Sequence, residues 1–165
     1  MPEDNVKERA HRDAEQGKSP STQAGEFVRE EFEHVRQGKH GARSPQQAIA
    51  IGLSKARRAG VKLPPPKRGR TSNKVRNQAR RDSAKGRSGR KRTSSTRSRA
   101  VSGALRREST RTASRSAISR QARGSARRRG AADRRRAART AVRTKGRAGL
   151  RQAAKKGART RSSRR

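Results

Sequence analysis

After Pro66 the sequence contains no proline, no aromatic residue and only three acids, Asp82, Glu108 and Asp133, against 37 lysines and arginines. Residues 67–165 therefore hold +34 of the chain's +37, while residues 1–66, with 12 Lys and Arg and nine acids, are almost balanced. Folding must offset the entropy of ordering the chain by burying apolar surface. Only 25% of the residues are hydrophobic and 1% aromatic, against 37% charged, so most of the chain is expected to lack a core of its own. The expected fold class is a small all-α helical hairpin followed by a largely disordered, conditionally helical Arg-rich tail.

Most of the large apolar side chains lie between Ser19 and Pro66. Residues 1–18 are polar and of mixed charge, and read as a disordered lead-in with transient helix around Lys7–Gln16. Ser21 and Thr22 are the expected start of a first helix, because a hydroxyl before an apolar-periodic run caps free backbone N–H groups. Ala24, Val28, Phe32 and Val35 recur at helical spacing with Phe27 beside them, and Glu26, Arg29, Glu30, Glu33 and Gln37 are assigned to the solvent face. Gly38 is placed to stop the helix.

A second helix starts at Ser44-Pro45, with Gln47 completing a capping box. Ile49, Leu53 and Ala56 line its inner face, Ala48, Ile51, Gly52 and Ala59 widen it, and Gly60 ends it. Val61 and Leu63 are expected to fold back, and Pro64-Pro65-Pro66 to force an extended boundary. The domain reading is a lead-in over 1–18, a hairpin over 19–63, a proline linker over 64–66 and a basic low-complexity tail over 67–165. A core this small is marginal. The small residues Ala48, Gly52 and Ala56 admit close approach of another helix, so self-association through this face is expected. In the tail, Ala131–Lys156 is the most helical stretch, weakened by Gly146 and Gly149, and no exact repeat period is read.

The runs Ser19–Glu31, Gly38-Lys39-His40-Gly41 and Gln47–Gly60 resemble a family of small basic bacterial proteins of uncharacterised function. The resemblance covers about a quarter of the chain and is most specific in Lys39-His40-Gly41 and in Gln47-Ala48-Ile49-Ala50-Ile51. It implies a bacterial origin and a helical module, and no catalytic residue. In composition alone the tail resembles bacterial histone-H1-like tails, differing in being rich in arginine and free of proline.

The charge of the tail points to a polyanion, since phosphate contacts dominate nucleic-acid affinity. The expected contacts are Lys67, Arg68, Gly69 and Arg70, then Arg90, Lys91 and Arg92, then Arg127, Arg128 and Arg129, and Arg134, Arg135 and Arg136. Pro66 to Thr71 resembles the core of an AT-hook, in which an extended Arg-Gly-Arg unit enters a narrow minor groove; Thr71 replaces the usual closing proline. A second phosphate surface is expected from Lys39, Arg43, Lys55, Arg57 and Arg58 around a helix N-terminus and the helix that follows.

Duplex DNA is the expected partner, bound without sequence preference by a nucleoid-associated protein of the cytoplasm. The alternatives are an RNA- or ribosome-associated basic protein, or an adaptor whose helical module docks a protein. Phe27 and Phe32, the only aromatics, fall on the presumptive core face, which disfavours base stacking on single strands. His34 and His40 lie six residues apart with no acid between them, and read as a helix-surface and a loop histidine rather than metal ligands. Glu26, Glu30, Glu31 and Glu33 read as a solvated face, no nucleophile–base constellation is visible, and neither catalysis nor a cofactor is expected. No apolar core of a signal peptide and no span for a membrane is read; the longest apolar run is Ala48–Ile51.

Overall fold

The computed structural model describes residues 4–88 and 94–163. They form seven α-helices and one 3-10 turn in the order α1 (Asp4–Glu15), α2 (Pro20–Arg36), α3 (Pro45–Arg58), α4 (Asn73–Arg87), α5 (Ser95–Arg106), η1 (Thr110–Ala113), α6 (Arg115–Arg128) and α7 (Ala131–Ser162). The expected hairpin with a disordered tail is therefore wrong: the basic segment is helical almost throughout. Local helix propensity winds this segment although it has little core of its own. Alanine and arginine stand at the top of the helix scale, and no proline follows Pro66 to interrupt them. Ser72 and Ser94 cap α4 and α5 with their hydroxyls.

The chain divides into two units, Met1–Ser119 and Arg120–Arg165. In the first, α2 is the central helix, packed on α1, α3 and η1, with α4 added on the far side of α3. Ser19, rather than Ser21 or Thr22, is its N-cap: the Ser19 hydroxyl accepts from the Thr22 N–H, and Pro20 takes the first helical position. At its other end Gly38 adopts φ 70°, its N–H bonds the carbonyl of Val35, and the N–H of Lys39 bonds that of His34. This is a Schellman closure, and it repeats at Gly60, where Gly60 bonds Arg57 and Val61 bonds Ala56. The Ser44 hydroxyl caps α3 as expected by accepting from Gln47, whose own side-chain oxygen takes the N–H of Arg43.

Two apolar clusters flank α2. One joins Val6 and Ala10 of α1 to Ala24, Phe27 and Ala56, with Leu53, Val61 and Leu63 packed against it. The expected disordered lead-in is thus a helix that helps bury Phe27, and Val61 and Leu63 fold back as read. The other joins Phe32, Val35, Ala42 and Ala48 to Ala113 of η1, with Val28, Ile49 and Ile118 beside them. Gly52 is where α3 meets α2 most closely: a Cβ there would lie 2.7 Å from the Cα of Val28. The small-residue face expected to receive a second molecule is therefore covered by α2 of the same chain.

In the second unit α7 is broken at Gly146, whose φ of 64° and ψ of 171° are not helical. No helix among the described residues is long and apolar enough to cross a membrane.

Candidate functional site

The expected cationic contacts fall into two groups. Lys67, Arg68 and Arg70 are exposed, as are Arg127, Arg128, Arg129, Arg134, Arg135 and Arg136. Arg90, Lys91 and Arg92 lie outside the described residues. Around Gly69 the backbone turns, with φ 82° at Gly69 and the N–H of Arg70 bonded to the Lys67 carbonyl, so the extended form of an AT-hook is not the one adopted.

The second group is largely committed to the fold. Arg57 is buried and donates to the carbonyls of Leu63, Leu53 and Pro64, tying the extended segment back onto α3. Burial lowers the pKa of its guanidinium from the ordinary value, and the charge of Asp82 opposes that shift. Arg58 donates to Asp82 at 2.8 Å, and Asp82 also accepts from Ser54 at 2.8 Å and Gln78 at 3.0 Å. Asp82 is the buried carboxylate that fastens α4 to α3. Arg43 is exposed and pairs with Glu108 at 3.7 Å, and Lys39 is exposed. The N–H groups of Gly41 and Ala42, near the proposed helix-terminus anion site, bond the carbonyls of Leu105 and Ser109.

The reading of the carboxylates and histidines as surface groups fails at Glu31, Glu30 and His34. Glu31 is 0% exposed, Glu30 5% and His34 8%. Glu31 and His34 continue the line of Ala24 and Phe27 along α2 at helical spacing, so they face the interior. The Glu31 carboxylate meets the Lys55 ammonium at 2.6 Å through one oxygen and His40 Nε2 at 3.3 Å through the other. His34, one helical turn after Glu31, sets its ring edge-on to that of His40 with centroids 6.0 Å apart. The Schellman closure at Gly38 reverses the chain and returns His40 over the end of α2. Ligating atoms of Glu31, His34 and His40 lie within 4.8 Å of one another. The local sequence holds one signal for this, the one-turn spacing of Glu31 and His34; the approach of His40 depends on the loop.

A second feature was open to sequence reading and escaped it. Positions 135, 139, 143, 147, 151, 155 and 159 are Arg135, Arg139, Arg143, Arg147, Arg151, Lys155 and Arg159, a basic residue at every fourth place. All seven are exposed on α7, and none is ion-paired to a described acid. Arg120–Arg165 as a whole contains 19 Lys and Arg and a single acid, Asp133.

Residues 17–68 match a family model described as a family of unknown function (DUF6496). The matched span contains α2, α3 and the whole Glu31, His34, His40 and Lys55 cluster, and stops before α4. No curated protein and no solved structure matches the chain.

Proposed function

We propose that the protein binds duplex DNA without sequence preference, through the basic helices that follow Pro66, as a non-enzymatic nucleoid-associated protein of bacterial, histone-like character. The observation that supports this reading is the fourfold-spaced ladder of exposed cations on α7. On each side of the break at Gly146, successive members stand about 6 Å apart along the helix axis. Like charges at this spacing repel, by about 0.2–0.5 kcal/mol per pair, and phosphates relieve that repulsion. The burial of Phe27 and Phe32 removes both aromatics from any base-stacking role, which favours a duplex over a single strand. Of the head cations, Lys55, Arg57 and Arg58 serve the fold, so the ladder and the exposed clusters at 127–129 and 134–136 carry the contacts.

The test is affinity for A·T-rich and G·C-rich duplexes at several salt concentrations. With about ten phosphates engaged, log affinity falls against log salt with a slope near −9. Base identity changes affinity little, because phosphate contacts carry no direct sequence information. A slope near −2, a sequence preference above roughly a thousandfold, or release of the purified protein from its nucleic acid by RNase but not DNase would overturn the proposal.

A further inference from the structure

We propose that Glu31, His34 and His40 form a binding site for a divalent transition metal, with zinc the ion best matched to the ligands. The argument begins at His40. Its Nδ1 lies 3.0 Å from the carbonyl oxygen of Gly41, which can only accept, so Nδ1 carries the ring proton. Nε2 is then the ring nitrogen turned toward Glu31, and it lies 3.3 Å from a carboxylate oxygen. Nε2 and that oxygen, at this separation, fit two neighbouring ligands of one tetrahedral ion, whose bonds are each about 2.0–2.2 Å. A backbone carbonyl holding the far nitrogen is also the usual way a ligating histidine is oriented.

The carboxylate supports the same assignment. The Glu31 side chain is 0% exposed, and the polar contacts shown for its two oxygens are the two ion pairs. Those pairs divide the oxygens. Oε2 is held by Lys55 at 2.6 Å, and Oε1 faces His40. Oε1 is therefore the oxygen presented to a metal, and Lys55 orients the carboxylate from behind. His34 completes the set from the same helix face, with all ligating atoms within 4.8 Å of one another. Two imidazoles and one carboxylate suit zinc and related divalent ions, and poorly suit magnesium or calcium, which prefer oxygen alone. A metal here would clamp the end of α2 to the Gly38–Arg43 loop.

The experiment uses the full chain stripped with a chelator and then dialysed. Zn²⁺ is titrated in competition with a chromophoric chelator, and Co²⁺ is added separately for its visible absorption. The expected result is one Zn²⁺ per chain and a Co²⁺ spectrum of a low-coordinate nitrogen–oxygen site. His34→Gln and His40→Gln each weaken Zn²⁺ binding at least about tenfold, with helicity by circular dichroism retained. The chain has three histidines, so His11→Gln is the control and leaves binding unchanged. Absence of both stoichiometric Zn²⁺ binding and the Co²⁺ spectrum in the unsubstituted chain overturns the proposal, whatever the folding of the variants. So does binding that His11→Gln weakens as much as His40→Gln.

Discussion

The Lys55 ammonium stands 2.6 Å from a Glu31 carboxylate whose side chain has no exposed surface, while Lys55 itself keeps 20% of its side chain open to solvent. Removing one member of a buried pair leaves the other charge uncompensated, at about 3–5 kcal/mol. Lys55→Met is expected near the low end of that range, because water still reaches the ammonium side. Adding Glu31→Leu should return part of the loss. Urea unfolding in the presence of a chelator measures both. A Lys55→Met loss under about 0.5 kcal/mol, the scale of an ordinary surface substitution, would refute the buried-pair assignment.

Asp82 accepts from Ser54, Arg58 and Gln78 and is 1% exposed, so it should control the attachment of α4. Asp82→Ala is expected to cost about 1.5–3 kcal/mol. Hydrogen exchange gives the sharper readout: amides of Asn73–Arg87 should exchange faster while those at the centre of α2 keep their protection. Equal acceleration in both helices would mean that α4 is not a separately fastened element.

Gly52→Ala places a methyl 2.7 Å from the Cα of Val28 and 3.0 Å from the Phe27 carbonyl. Both obstacles are backbone, so α2 and α3 must separate. A loss of about 1–3 kcal/mol follows, although alanine is the better helix former. An unchanged or raised melting temperature would contradict the close crossing.

Arg139→Glu separates helix stability from binding, because the two should move in opposite directions. The substitution converts its repulsive pairs with Arg135 and Arg143 into attractive ones, each worth about 0.2–0.5 kcal/mol. Helicity by circular dichroism should rise at low salt, and affinity for duplex DNA should fall. A parallel rise in both would place the DNA contacts elsewhere on the chain.

What could be read from the sequence was whatever acts over a few residues. Ser44-Pro45, Gly38 and Gly60 mark helix ends through bonds to neighbours three to five positions away, and they stand where the residues imply. Gly146 falls where glycine was expected to weaken the last helix. The burial of Glu31 and His34 was illegible because it depends on where the fold brings Lys55 of α3 and His40 of the loop after Gly38. Ala131–Lys156 was legible as helix, but the helices between Pro66 and Gly130 were not, because local propensity and serine caps suffice to wind segments that have little core. The AT-hook reading of Arg68-Gly69-Arg70 met a turn, which the resemblance in residue types does not encode.

The break at Gly146 bears on how the cations of α7 can meet a rod-like partner. A basic residue at every fourth position advances about 40° around a helix axis per step. Carried unbroken from Arg135 to Arg159, the row would wind through about 240°, and its ends would look away from each other. A duplex lying along one side would lose much of the row to the far side. With the helix interrupted after Lys145, Arg135, Arg139 and Arg143 sweep only about 80°, and Arg147, Arg151, Lys155 and Arg159 about 120°. Each half thus holds its charges within one broad face, and the glycine is the joint at which the phase of the spiral is reset.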